Sequence, residues 1–79
     1  MSHKLYAIIS RVFSVSISEI SDSSGPESIE RWDSFNALVL VDELESEYNI
    51  KFTVDEITDV FTVADIKRHL KNHGANLDE

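Results

Sequence analysis

Apolar residues recur three and four positions apart in several stretches of this chain, the spacing that lines one face of an α-helix. One stretch covers about residues 3 to 13, a second runs from residue 33 or 34 to about residue 48, and a third begins at Thr62. Residues 13 to 18 alternate apolar and polar, but a lone strand would find no partner strand here. The pattern therefore predicts an all-α domain in which residues 14 to 33 form a loop.

Capping residues divide the helical stretches. Asp33 or Ser34 can N-cap the central helix, Thr62 and Asp65 have capping-box spacing, and Gly74 suits a helix C-terminus. Residues 55 to 59 are long enough for a single helical turn. We expect a bundle of three longer helices and one short helix, with a long loop between helices 1 and 2. The loop is expected to pack onto the core through Val15, Ile17, Ile20, Ile29 and Trp32.

The length, net charge and lack of Cys limit the number of domains, the partners and the compartment that we expect for this chain. Its 79 residues suit one domain, 1–79, with a core at about 3–73 and a tail at 74–79 that we expect to be flexible. A formal net charge of −8 disfavours nucleic acid and anionic membrane as partners; it either favours basic protein surfaces or serves only to keep the protein soluble. The chain has no Cys, which fits a reducing compartment. We expect a cytoplasmic monomer.

The first half of the central helix carries more apolar residues than docking requires. One apolar stripe along the helix is enough to pack it against the rest of the bundle. Six of the eight residues from 34 to 41 are nevertheless apolar. Phe35, Leu38 and Val39 lie opposite that stripe, so they either form an exposed contact surface or are covered by loop 14–33. The second half turns acidic. Its acidic residues could be an ordinary solvated face or a docking site for basic partners: Asp42, Glu43, Glu45 and Glu47.

Ser34 is the residue best placed for chemistry. A hydroxyl at a helix N-terminus lies where free backbone N–H groups and the helix dipole favour a phosphate. Asp33 opposes that charge and could instead help to place a metal ion or a modifying enzyme. No His lies near Ser34 in sequence, so it suits an acceptor modified by another enzyme better than a self-activated nucleophile. The alternative from position alone is a plain N-cap.

The segment around Ser34 resembles the acyl carrier protein family. Glu30-Arg31-Trp32-Asp33-Ser34-Phe35-Asn36-Ala37-Leu38 is similar to that family's modified-serine motif, usually Asp-Ser-Leu at the start of a hydrophobic and acidic helix. The likeness extends through Phe61-Thr62-Val63, similar to the family's start of the last helix, and covers roughly residues 3 to 73. It implies that a transferase attaches 4′-phosphopantetheine from coenzyme A to Ser34, with Asp33 beside it. It implies no catalytic activity of the chain itself.

The resemblance also implies the kind of function. Such carriers hold acyl groups as thioesters and deliver them to loading ligases, synthases or transferases in fatty-acid, polyketide or related biosynthesis. We expect Phe35, Leu38, Val39 and Asp42 to form the partner surface, with Glu43, Glu45 and Glu47 more peripheral. Trp32, Asn36 and Val39 depart from fatty-acid carriers. An aminoacyl or peptidyl carrier, or an unmodified acidic interaction module, remains an alternative.

Two further expectations concern cargo and metal. A long acyl chain could retreat between the central and last helices, near Leu38, Val41, Phe61 and Ile66. His69 and His73 lie four residues apart on one helix, but two terminal His residues without a third ligand are usually solvated. We therefore predict no metal site.

Overall fold

A computed structural model describes residues 3–75 and 77. Over these residues the chain forms four α-helices: α1 (His3–Phe13), α2 (Ser34–Tyr48), α3 (Val54–Thr58) and α4 (Val63–Asn72). A single 3₁₀ turn, Ile17–Glu19, interrupts the long connection between α1 and α2. The all-α prediction, with three longer helices and one short helix, is confirmed.

The apolar stripes of the three longer helices meet in one core, as their spacing predicts. Leu5, Ile9, Leu40, Leu44 and Leu70 are almost completely buried. Leu77 is 4% exposed and belongs to the same core, so the core extends beyond the expected boundary at residue 73. The flexibility expected for 74–79 stays a prediction, and residues 76, 78 and 79 lie outside the described residues.

The connection between α1 and α2 is irregular but firmly packed. Ile20, Ile29 and Trp32 are buried, and the Trp32 ring stacks on Phe13 with 5.0 Å between ring centroids. Val15 is partly buried against the core. The expectation for Ile17 was wrong, because this residue lies on the 3₁₀ turn and is 38% exposed.

The same connection accepts hydrogen bonds from the first backbone N–H groups of α4. The backbone N–H groups of Val63 and Ala64 donate to the carbonyl oxygens of Ser24 and Asp22 at 3.0 and 2.9 Å. Gly25 follows directly, and a Cβ placed on it would lie 2.3 Å from the backbone oxygen of Phe61. The glycine is therefore required for this close approach of two backbone segments.

Local sequence signals set the helix ends. Thr53 and Thr62 each form a complete capping box, with Glu56 and Asp65 respectively. Asn49 ends α2 in the left-handed conformation, with φ of 56°, and Gly74 follows α4 with φ of 84°. No helix of the described residues combines the length and the apolar character that a membrane span needs.

Polar contacts connect α3 and the residue that follows it to the end of α4. His73 Nε2 lies 2.9 Å from the Glu56 carboxylate, and His69 Nε2 lies 3.2 Å from Asp59 Oδ2. Phe52 packs edge-on against both imidazole rings. The expectation that both His residues are solvated was wrong for His69, which is 8% exposed. It fails because α3 and the segment after it fold back over α4.

Candidate functional site

Ser34 is the first residue of α2 and is exposed. Its hydroxyl forms no hydrogen bond to any residue that the structure describes. Trp32 lies two positions earlier and is fixed by burial and by the stack on Phe13. A rigid anchor thus holds the start of the helix in place while the Ser34 side chain itself stays available.

Asp33, and not Ser34, is the N-cap of α2. The Asp33 carboxylate accepts from the backbone N–H of Asn36 at 2.8 Å, and the Asn36 side-chain amide donates to the Arg31 carbonyl oxygen at 2.9 Å. The structure thereby decides which of the two N-cap candidates from the sequence caps the helix. Capping gives Asp33 a structural role and leaves Ser34 without one, so the plain N-cap alternative for Ser34 was wrong.

Ser34 lines the rim of a largely apolar surface groove. The groove has a volume of about 470 Å³, in the range typical of small-ligand sites. One side comes from the loop and α2, and the other comes from α3 and the segment that follows it. The lining residues are Pro26, Trp32, Asp33, Ser34, Ala37, Leu38, Ile57, Thr58, Val60 and Phe61.

A second, much smaller space lies behind this groove. It measures about 30 Å³, lies among residues of α2, α3 and α4, and shares four lining residues with the groove. Val41 and Ile66 line this inner void, whereas Leu38 and Phe61 line only the outer groove. The residues predicted to surround a buried acyl chain are therefore divided between two adjoining spaces.

The apolar residues opposite the docking stripe of α2 are exposed. Phe35 is 73%, Leu38 55% and Val39 36% exposed. Loop 14–33 does not cover them, and its apolar residues Ile20, Ile29 and Trp32 are buried in the core instead. Of the two interpretations of this apolar excess, the exposed surface is confirmed. Phe61, 62% exposed, lies across the groove from Leu38.

The acidic half of α2 is largely engaged within the fold. Arg11 pairs with Glu43, and Lys4 pairs with Glu47 at 3.0 Å. Glu45 accepts from the backbone N–H of Phe52 at 2.8 Å. Among the described residues, exposed Asp42 has no such partner. Its negative charge, close to Val39 on α2, is therefore unpaired.

Two carboxyl groups away from Ser34 have pKa values below their ordinary values. The backbone N–H of Thr53, followed by the His73 ring, lowers the pKa of Glu56. Hydrogen bonds from Lys67 and then Tyr6 lower the pKa of Asp22, which lies in the loop. The Glu56 carboxylate connects α3 to His73 at the end of α4, and the Asp22 carboxylate connects the loop to Lys67 on α4. Within the described residues, no group of three or more His, Cys, Asp or Glu side chains is arranged to bind a metal ion.

Comparison with protein families decides the class of this site. The family model described as "Phosphopantetheine attachment site" matches residues 3–70. The chain belongs to that family. Its members carry 4′-phosphopantetheine covalently on a serine. No curated protein matches the chain.

The structure of this carrier domain fits such a group. Ser34 offers an exposed and unpaired hydroxyl, and the groove beside it is lined mostly by apolar side chains. The sequence did not point to the far side of the groove, formed by Ile57, Thr58 and Val60. Its only signal was the short predicted helix, whose position across the groove from α2 depends on the tertiary fold.

Proposed function

We propose that Ser34 is the residue to which 4′-phosphopantetheine is attached, and that the carrier domain delivers acyl thioesters to partner enzymes. The observation that carries this proposal is the geometry of the α2 N-terminus. Asp33 performs the capping, so an exposed Ser34 hydroxyl is left free at the mouth of an apolar groove.

The attachment chemistry requires an external enzyme. In the transfer, the Ser34 oxygen forms a new bond to phosphorus, its proton is lost, and the nucleotide part of coenzyme A leaves. No His, Asp or Glu accepts a hydrogen bond from the Ser34 hydroxyl in the described part of the chain, so nothing there activates it. A phosphopantetheinyl transferase is therefore the first partner, and the domain is a carrier and not an enzyme.

The proposed partner surface lies on the first half of α2. Phe35, Leu38 and Val39 supply exposed apolar area next to Ser34, and Asp42 supplies an unpaired negative charge. Glu43, Glu45 and Glu47 remain in the proposal as a peripheral contribution, since each already has a partner inside the fold. Recognition then depends more on apolar contact than on acidic steering.

This surface favours partners other than the enzymes of primary fatty-acid synthesis. Asn36 and Val39 stand where fatty-acid carriers often have acidic residues, and neither adds negative charge to the exposed face. We propose acyl cargo of polyketide or other specialised biosynthesis, with the cytoplasm as the location and a monomer as the working form. An aminoacyl cargo is the outcome that would change the pathway but not the mechanism.

The attachment site is tested by intact mass. The protein is incubated with coenzyme A, Mg²⁺ and a broad-specificity transferase, alongside a known carrier as activity control. We expect a gain of one phosphopantetheine group, retained in Ser46→Ala and lost in Ser34→Ala. Ser46 is a matched control because it is also an exposed serine on α2. A mass gain in Ser34→Ala, or none in the wild type, would refute the proposal, and none in the wild type would favour an unmodified interaction module.

The partner surface is tested by adding charge. Val39→Glu is expected to improve use of the loaded carrier by fatty-acid enzymes, and Ser46→Glu, which adds the same charge farther along α2, is expected to have little effect. Initial rates with a purified fatty-acid synthase enzyme are the measurement. Equal rates for wild type and Val39→Glu would count against the proposal that an uncharged residue at position 39 disfavours fatty-acid enzymes. Mass spectrometry of protein purified from its own host would identify the native thioester.

A further inference from the structure

Phe61 is an exposed aromatic residue at the groove beside Ser34. It lies in the segment between α3 and α4, across the groove from Leu38, and is 62% exposed. Pro26 of the loop is exposed as well and lines the same groove. Because the backbones of Gly25 and Phe61 are in close contact, Pro26 and Phe61 form one apolar edge of the groove, the Phe61 edge.

The backbone of the Phe61 edge is held by several contacts. The Phe61 backbone N–H donates at 3.0 Å to the Asp65 carboxylate, which also completes the capping box of α4. A Cβ on Gly25 would lie 2.3 Å from the Phe61 carbonyl oxygen, and the Gly25 carbonyl accepts from the Ser28 backbone N–H at 3.0 Å. This second bond closes the turn that contains Pro26. The edge is therefore exposed on a fixed backbone, so a partner that binds it has little backbone to order.

The phosphopantetheinyl transferase is the partner that has to cover this groove. It must bring the phosphorus of coenzyme A within bonding distance of the Ser34 oxygen. Enzymes that act on the cargo need to reach only the free end of a flexible arm. Ser34, Leu38 and Phe61 line the same groove, so an enzyme surface that is placed on Ser34 extends to both sides of it.

The exposed apolar residues of α2 are too few to supply such an interface alone. A specific interface buries about 800 Å² on each partner, which is roughly a sixth of this domain's surface of 4885 Å². Among the described residues, the large apolar side chains exposed outside α2 are those of Ile17, Val54 and Phe61. Of these, only Phe61 lines the groove beside Ser34, so it is the residue that can extend the apolar contact beyond α2.

Glu27 supplies the free negative charge near this edge. It is exposed, lines a surface depression together with Phe61, and has no hydrogen-bonding or ionic partner in the described part of the chain. The carboxylates of Asp59 and Asp65, which lie close to Phe61 in sequence, both contact Arg68, at 2.7 and 3.4 Å. The charge left for a partner is therefore that of Glu27, which favours a basic side chain on the enzyme.

We propose that the Phe61 edge is a second contact surface for the phosphopantetheinyl transferase, in which Phe61 enters an apolar site on the enzyme and Glu27 faces a basic side chain. The proposal rests on the proposed attachment at Ser34. Phe61 takes no part in the chemical step. It stabilises the complex through burial of an aromatic ring, and such residues dominate the binding energy of many interfaces. Its loss therefore weakens binding and leaves the transfer step within the complex unchanged.

Equilibrium binding tests the contact. Intact mass first verifies that the wild type gains one phosphopantetheine group at Ser34, so a failure of the proposed function is seen separately. Binding to a broad-specificity transferase with coenzyme A is then measured by calorimetry in a Ser34→Ala background, where no transfer follows. Phe61→Ala should raise Kd about tenfold, and Phe61→Leu should raise it less. Val54→Ala, a truncation of a 75% exposed residue away from the groove, should change Kd by less than about twofold.

Steady-state kinetics with Ser34 intact separate binding from chemistry. Phe61→Ala should raise KM for the carrier and leave kcat unchanged. Glu27→Gln should raise KM by about two- to threefold at low salt and by less at high salt, because an exposed ion pair is screened. Glu19→Gln is the control, since Glu19 is also exposed but lines neither the groove nor the depression beside Phe61.

Three results would overturn the proposal. The first is an equal Kd for Phe61→Ala and Val54→Ala when both have native amide NMR spectra; if Phe61→Ala alters the fold, Phe61→Gln replaces it with the same expectation. The second is a fall in kcat at unchanged KM, because Phe61 would then act on the chemical step. The third is a carrier that dimerises in analytical ultracentrifugation and becomes monomeric in Phe61→Ala, which would assign the Phe61 edge to a second copy.

Discussion

The connection from residue 14 to residue 33 and helix α3 reverse the usual relation between regular structure and firm packing. The connection is mostly irregular, yet Ile20, Ile29 and Trp32 are buried in the core. Helix α3 has regular backbone hydrogen bonding, but none of its residues is fully buried. It is held by a capping box, by the Glu56 carboxylate facing His69 and His73, and by the partly buried Ile57.

The difference follows from the source of each segment's stability. Burial of apolar side chains is the dominant favourable term in folding, and a five-residue helix is too short to be stable through its own hydrogen bonds. An irregular segment with several buried anchors is therefore held more firmly than a regular one whose apolar contact with the core is the partly buried Ile57. The groove beside Ser34 accordingly has a firm side, containing Trp32, and a more weakly held side, containing Ile57 and Val60.

Truncation of Trp32 tests the firm side and should have the largest effect. Trp32→Ala removes a buried ring and its stack on Phe13, so we expect a loss of about 3–5 kcal/mol in the free energy of unfolding. Urea unfolding followed by circular dichroism measures this loss. Trp32→Phe, which retains an aromatic ring, should lose clearly less. A loss below about 1 kcal/mol for Trp32→Ala would mean that the loop is not anchored through this residue.

Substitution of Gly25 tests the contact between the loop and the segment before α4. A Cβ on Gly25 would lie 2.3 Å from the backbone oxygen of Phe61, which cannot rotate away. We expect Gly25→Ala to lose about 1–3 kcal/mol of stability, as overpacking does elsewhere. Gly74→Ala is the comparison, since Gly74 has no neighbour within 4 Å and its substitution is disfavoured only by its φ of 84°. Unchanged stability in Gly25→Ala would show that the two backbones can separate freely.

Removal of the α3 cap tests the weakly held side. Thr53→Ala deletes the oxygen that accepts from the backbone N–H of Glu56, and we expect a loss of about 1 kcal/mol. The effect should be local, with faster hydrogen exchange at the Ile57 amide, which donates to the Thr53 carbonyl, and little change at Leu44. Thr58→Ala, on the same helix but outside the cap, serves as the control. Equal acceleration at Leu44 would mean that α3 unfolds only together with the core.

Acid titration of Glu56 should give the smallest effect. Its pKa is lowered in the folded state, first by the Thr53 backbone N–H and then by His73. The ionised carboxylate therefore contributes stability above its unfolded-state pKa, and this contribution is lost as the pH falls through the lower folded-state pKa. The wild type should be more stable than Glu56→Gln at neutral pH, and the difference should shrink in acid, below about pH 4. Asp55→Asn, an exposed neighbour, should show a smaller change, and a difference independent of pH would contradict the assignment.

Much of the fold could be predicted from individual residues. The spacing of Leu5, Ile8 and Ile9 defined one helix, and Thr62 with Asp65 marked the start of the last one. Contacts between distant segments could not be predicted in the same way. The burial of His69, the ion pair of Arg11 with Glu43 and the exposure of Ile17 all depend on how segments far apart in sequence pack together.

The sequence by itself determined the helical class and singled out Ser34, because periodicity, capping chemistry and the Asp33-Ser34 motif are local properties. Only the tertiary structure decided that Asp33 caps α2, that Phe35 and Leu38 are exposed, and that a largely apolar groove lies beside Ser34. The physical reason is that burial and cavity shape arise where several segments meet. A linear pattern specifies the face that each helix can bury, but not which faces remain uncovered once all of them have packed.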